Sequence, residues 1–493
     1  MGQNGISAAT RHSRPMAGER GAVSAAHPLA VSAGVRALER GGTAVDAAIA
    51  AQAMICVIMP QAAGLGGDML ALVRDEGGVT AVSGTGRSAS ISPRAFATDG
   101  GAAVTVPGLV HGWTTAHRRW GVLPLADVLA AAIAVAKDGY HVDGDLALAV
   151  RTQRDRIAAH GASAWPLLDT RVGALWRQPE LAALLQRISE EGASAFYTGR
   201  SADAISSAVS RHGGTLARGD LEGHVTDVQP SVETGWNGGR LHVQPPPTQG
   251  TLLAMAARWF DEATELDPGA LDHVMIEATE AAFAYRDTIA GPGDLLSVDL
   301  DVDRQRARLR GGPRAYLHTA GVAVADSDGM VVSSLVSVFD DFGSGVYVPE
   351  LGLVLNNRAA GFTAGDNAPR PGAKPVHTLA PALLIEGNGD ILALATPGAD
   401  GQVQTLLQVL ARMRYSDLPL EDALTSARWR SEGGSLLTER DHPAHADLVE
   451  RGHPIVVREP GDGVFGAVVA AGLRSGIPFA AADWRRAVST GAL

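Results

Sequence analysis

The sequence predicts an α+β chain forming one compact unit, and three observations predict it. Helical patterning dominates from His27 to Arg286, broken by glycine and proline. After Leu317 the pattern changes to alternating, β-branched-rich segments at Thr319–Asp326 and Met330–Val338, joined by Ser327-Asp328-Gly329, a strong hairpin signal. No internal period is present, and 59 glycines among abundant alanines suit tight turns and close packing rather than a repeat array.

In order along the chain, a first helix spans His27 to Arg40 and is stopped by Gly41-Gly42. A second opens at Thr43 with Asp46 three residues on, a capping-box-like start in which hydroxyl and carboxylate each accept a free first-turn N–H. Pro60 ends it and leads into the glycine-rich turn Ala63-Gly-Leu-Gly-Gly-Asp68, followed by strands near Met69–Val73 and Val79–Ser83. Helices are expected at Pro107–Trp120, Leu125–Lys137, within Leu146–Val209 and at Asp272–Arg286. Three successive prolines exclude helix and central strand from Val243–Gly250. The arginine-rich stretch Asp303–Arg314 reads as exposed.

A chain of 493 residues, 46% hydrophobic and 19% charged, can bury a large core. Its net charge of −12 is spread along the chain, which argues against nucleic acid or an anionic membrane as partner and favours small molecules. The single cysteine, Cys56, excludes an internal disulfide and reads as a buried small hydrophobe. The first thirty residues show no signal peptide, and no window has the roughly 18 to 20 apolar residues of a membrane span, so a cytoplasmic location is the default expectation. No phosphate-binding glycine loop or metal-ligand spacing stands out, so no metal and no cofactor are expected.

The segment Gly41-Gly-Thr-Ala-Val-Asp-Ala-Ala-Ile-Ala50, followed by Pro60 and Gly64-Leu-Gly-Gly67, resembles the amino-terminal signature of the gamma-glutamyltranspeptidase superfamily. The resemblance continues in order through Val106-Pro-Gly-Leu109, Gly192–Gly199, Pro246-Pro-Thr-Gln-Gly250 and Phe342-Gly-Ser-Gly345. It implies the four-layer αββα sandwich of the N-terminal-nucleophile hydrolases and a precursor that cuts itself before a threonine. The register that keeps Asp326, Asp328 and Gly329 in place puts Thr319 at the cut, dividing the chain into a large fragment, 1–318, and a small one, 319–493, that remain associated. A free α-amine, titrating near about 7.7 to 8.0, can serve Thr319 as its own general base.

The same resemblance assigns further roles. The N–H groups of Gly398 and Ala399, in Thr396-Pro-Gly-Ala-Asp400, correspond to the oxyanion donors. Ser337 corresponds to a second hydroxyl bonded to the nucleophile, and Arg87, in Ser83-Gly-Thr-Gly-Arg87, to an arginine that grips the substrate carboxylate. By chemistry alone, each is also an ordinary strand serine, a Pro-Gly turn or a surface arginine.

Where transpeptidases read the donor's amino group with Asn, Gln and Asp, this chain has Phe339, Arg358 and Gly361, and His377-Thr378 replaces a pair of serines. These changes, with Leu355-Asn-Asn-Arg358, resemble an oxamate amidohydrolase-like branch and make Arg358, His377 and Thr378 candidate substrate contacts. His377 reads equally as a packed histidine bonded to the backbone. The cleavage site also departs from that branch, reading His318-Thr319-Ala320-Gly321 where two threonines and a tyrosine are common. The expected activity is hydrolysis of a small carboxylate-bearing amide through an acyl-threonine, in a protein that can also be a homo-oligomer. Rival readings are a gamma-glutamyl hydrolase or transpeptidase, a cephalosporin-type acylase, and an uncleaved binding or assembly protein. The retained Thr319, Ser337 and Pro397-Gly398 count against the last.

Overall fold

Strands from both sides of residue 319 mix within two seven-stranded antiparallel sheets. One sheet runs Ser489–Ala492, Gly21–Ala25, Ala320–Asp326, Val331–Ser337, Asp68–Asp75, Gly78–Gly84, Asp227–Pro230. The other runs Met16–Ala17, Ile477–Ala482, Val469–Arg474, Ile391–Ala395, Ala382–Ile385, Gly239–Val243, Val232–Trp236. The computed structural model describes residues 13–91, 97–264, 266–310 and 319–493. His318 and residues 311–317, with the end of the arginine-rich stretch, lie outside the described residues, as do residues 1–12.

Period-two alternation sorts the apolar side chains into three cores and so builds four layers. Leu70, Leu72, Ala323, Ala325 and Leu335 of the first sheet meet Leu383, Ala393, Ala395, Val469 and Ala471 of the second. The opposite face of the first sheet, with Val322, Val324, Val332 and Val336, packs on the helices between residues 28 and 211. The outer face of the second packs on Gly250–Glu262, Leu271–Phe283 and Gly401–Tyr415. This is the αββα sandwich.

Local chemistry sets the helix ends as expected. The capping box forms, with Thr43 Oγ1 accepting from Asp46 N (3.2 Å) and Asp46 Oδ2 from Thr43 N (3.0 Å), and the helix runs Ala44–Ile58. Asp326 Oδ2 also accepts from Ala44 N (2.7 Å), while its Oδ1 takes Asp328 N and Met330 N inside the hairpin. One carboxylate thereby fixes the hairpin and docks it on a helix start, which is a physical reason for Asp326 and Asp328 to stand where they do. Cys56 is buried in the same helix.

The described part of the arginine-rich stretch is mostly exposed, as expected, and Arg310 is its half-buried end. Arg310 is tied by its guanidinium to the fully buried Glu277 (2.9 Å), because only a cation can offset a carboxylate placed there. Among the described residues no helix is long and apolar enough to cross a membrane.

Candidate active site

Three neighbouring strands of the first sheet end on one rung. Ala320 pairs with Val336, so Thr319 falls opposite Ser337 by continuation, and Ser337 pairs with Asp68. The alternation that sends Ala323, Leu335 and Leu70 between the sheets sends Thr319, Ser337 and Asp68 the same way. Thr319 and Ser337 are buried, their hydroxyl oxygens 3.4 Å apart, and Ser337 Oγ also accepts from Phe339 N (3.0 Å).

The Gly66-Gly67 pair before Asp68 has a steric cause. A Cβ at Gly67 would overlap the Ser337 carbonyl and one at Gly66 the Val354 carbonyl, so only glycine lets this turn approach the strand that carries Ser337. Gly321 is crowded by side chains of the other sheet, since a Cβ there would sit 2.9 Å from Val469 Cγ2 and 3.3 Å from Ala395 Cβ. The departure from the branch at Gly321 is therefore matched by how closely the two sheets approach.

Arg358 is fully buried and donates from Nε to Asp68 Oδ2 (2.9 Å), with Nη1 3.4 Å from Thr378 Oγ1. Its guanidinium carbon lies 4.5 Å from the Phe339 ring centre, within cation–π range. Asn356 fixes this corner, accepting from Arg358 N and Thr105 N and donating to Gly66 O and Thr105 O. The pocket that holds Phe339 and Arg358 thus contains a matched charge pair, with Asp68 as its anion. Two of its atoms, Arg358 Nη2 and Asp68 Oδ1, are buried without a hydrogen-bond partner among the described residues.

His377 completes the pair. Its Nδ1 accepts from Leu379 N (3.2 Å), which leaves the proton on Nε2, 3.3 Å from Asp68 Oδ2. Burial, then the charge of Arg358, pushes its pKa down to about 4, so the ring is neutral. Burial opposes the Asp68 charge, but the His377 hydrogen bond and the Arg358 guanidinium outweigh it and hold the carboxyl below its usual range. Both His377 nitrogens are engaged, so it acts on this corner through Asp68.

The second sheet supplies the turn. Strand Ile391–Ala395 runs into Thr396-Pro397-Gly398-Ala399-Asp400 at the start of helix Gly401–Tyr415. Gly398 has φ +128° and Ala399 φ +48°, and their N–H groups make no hydrogen bond among the described residues. Open N–H groups at a helix start suit a developing negative charge. Ala399 tolerates the left-handed region at a cost of about 1 to 2 kcal/mol. Gln249 Nε2 donates to both Ala399 O (2.6 Å) and Thr378 O, binding this turn to the Arg358 cluster. The contact of Gly321 with Ala395 puts the turn at the Thr319 end of the sandwich.

Arg87 lies apart from this cluster. It is exposed, donates to Gly372 O (3.1 Å) and lines a cleft of about 470 Å³ with Asp227, Pro246, Pro247, Arg370 and Lys374. Its carbonyl accepts from the N–H of buried Val106 (3.0 Å), and its guanidinium bonds the 370–374 loop, which leads directly to His377.

Sequence reasoning did not single out Asp68 or Gln249, although both stand inside the quoted Gly-Gly-Asp and Pro-Pro-Thr-Gln-Gly motifs. It also found no metal-ligand spacing, whereas the fold gathers His273, Glu277 and His453 into one buried group.

Comparison with known proteins gives the family. The gamma-glutamyltranspeptidase family model matches residues 30–492. The chain is 31% identical over 479 residues to an oxamate amidohydrolase proenzyme of Klebsiella pneumoniae, covering 88% of this chain and 90% of that protein. It is 29% identical over 505 residues to an acylase proenzyme of a Pseudomonas species, covering 92% and 90%. The crystal structure of a cephalosporin acylase from Bacillus halodurans superposes with a TM-score of 0.84 at 29% identity, covering 97% of each chain. With a buried threonine–serine rung at the end of an αββα sandwich, and proenzymes matching about nine-tenths of its length, the chain belongs to the gamma-glutamyltranspeptidase family, and the protein is an N-terminal-nucleophile amidohydrolase.

Proposed function

We propose that the enzyme cuts itself between His318 and Thr319, and that the freed Thr319 hydrolyses the amide bond of a small carboxylate-bearing substrate of the oxamate type. The observation that carries this reading is the Asp68–Arg358 pair, which keeps one buried donor and one buried acceptor uncommitted. A small acid with an amide offers the complementary acceptor and donor, and leaving either protein atom unpaired costs about 1 to 3 kcal/mol. A gamma-glutamyl donor would instead bring an ammonium toward Arg358 and Phe339, a pairing penalised by like charge and desolvation.

In this mechanism the α-amine of Thr319 takes the proton of Oγ1, directly or through a water, as Oγ1 attacks the amide carbon. The Ser337 hydroxyl, 3.4 Å away, holds the nucleophile's hydroxyl in place. The oxyanion is received by the N–H groups of Gly398 and Ala399. The C–N bond breaks, the protonated nitrogen leaves as ammonia, and water hydrolyses the acyl-threonine ester to regenerate Thr319. Arg358 and Thr378 hold the substrate acid within the pocket, His377 steadies Asp68, and Arg87 draws the acid in at the rim.

Ammonia release from a panel of small amide acids, run beside a chromogenic gamma-glutamyl anilide, tests the reading. Saturable ammonia release with little anilide turnover is expected. Brisk gamma-glutamyl transfer to a dipeptide acceptor would overturn it.

A further inference from the structure

Helix Leu271–Phe283 carries His273 and Glu277 four residues apart, hence on one face, and His453 reaches them from the turn after helix His445–Glu450. Their ligand atoms all lie within 4.8 Å of one another, and all three residues are buried. His273 Nδ1 and His453 Nε2 are 2.8 Å apart. His273 Nε2 sits beside the backbone of Asp303 without closing a hydrogen bond of good geometry. A ring placed this way has one nitrogen turned to a backbone group and the other facing a second imidazole and a carboxylate, which is how ligating histidines are commonly held.

We infer that His273 Nδ1, His453 Nε2 and the Glu277 carboxylate form a binding site for a divalent transition ion of the zinc class, tying residues before position 319 to residues after it. Two nitrogens on tetrahedral zinc stand about 3.3 Å apart, so the rings need part by only about half an ångström. Glu277 already accepts from Arg308 N (3.0 Å) and Arg310 Nη1 (2.9 Å), and each carboxylate oxygen retains a second lone pair for the ion. Arg310 and Arg451 oppose added positive charge, while Asp303, Asp447 and Glu280 offset it.

The position gives the site a role. The strap 303–310 is stitched to the second half of the chain by Ala307 N to Arg451 O (3.0 Å) and Arg451 Nη1 to Arg304 O (3.1 Å). This strap leads toward the proposed cut, and the ion crosslinks the two fragments beneath it once the peptide bond is gone. That role rests on the proposed self-cleavage; ion binding does not.

The experiment titrates zinc alone into chelator-stripped full-length protein, in the wild type and in Thr319→Ala, and records the visible spectrum with cobalt in its place. One equivalent bound in both proteins, a nitrogen-ligated cobalt spectrum, and affinity reduced roughly tenfold or more in His453→Gln and Glu277→Gln are expected. His453→Gln lies at the edge of the core and keeps the fold testable, and the wild-type cobalt spectrum does not depend on any variant. The absence of stoichiometric binding, or equal binding in the variants, overturns the site. If the ion binds both proteins and zinc raises the denaturant concentration at which cleaved fragments separate, the crosslink stands. If zinc binds but leaves that separation unchanged, the crosslinking role falls.

Discussion

In the proposed mechanism two arginines divide the handling of a substrate acid between the rim and the interior, and they should respond differently to the same change. Arg358→Lys keeps a cation beside Asp68 but removes the Nη2 donor, so kcat/KM on a small amide acid should fall at least about tenfold, or about 1.4 kcal/mol, with self-cleavage intact. Arg358→Met leaves Asp68 charged and unpaired inside the protein, which should cost about 3 to 5 kcal/mol and lower the melting temperature as well. Arg87→Lys, at an exposed position, should raise KM with little effect on melting temperature or fragment formation. Steady-state kinetics beside melting curves and fragment yield decide this. If Arg358→Lys leaves kcat/KM unchanged, the interior arginine is only structural.

At the scale of elements, the two sheets come into close contact where the 320–326 strand meets the 469–474 and 391–395 strands, and Gly321 marks the place. Gly321→Val should push the sheets apart, destabilise the fold by about 1 to 3 kcal/mol and reduce fragment yield, read by denaturation midpoint and gel. A stable, fully processed Gly321→Val would mean that the sheets can separate there without disturbing Thr319. This element was legible in part. Alternation and the Asp-Gly turn located both strands, and the Thr43–Asp46 spacing located a helix start, because each signal lies within a few residues. Asp68 was not legible as a site residue, since its partner Arg358 is 290 positions away and nothing local marks a carboxylate as half of a buried pair. The same holds for His453, 180 positions from His273. The Arg310 side chain read as exposed because arginine usually is, and only the buried Glu277 shows why it is not.

For the molecule as a whole, burying neutral histidines has a consequence in acid. The folded chain holds His377 at a pKa of about 4 and His224 at about 3, both first through burial, whereas the unfolded chain takes up those protons near about 6.5. The unfolded state therefore binds more protons across that interval, and stability should fall as pH drops from about 6.5 toward 4. His377 contributes on the order of 2 to 3 kcal/mol of this, so denaturant midpoints in His377→Gln should show a shallower acid slope than in the wild type; an unchanged slope would mean that the ring is not held neutral. The interleaving of strands from both sides of residue 319 means that a cut there leaves two chains folded as one body. Mass spectrometry of the purified protein, with amino-terminal sequencing of the fragments, tests that cut most directly. Fragments 1–318 and 319–493 with Thr319 as the new amino terminus are expected, and a single uncut chain in Thr319→Ala. A cut at another bond, or full amidase activity from an uncut chain, would contradict the proposed mechanism.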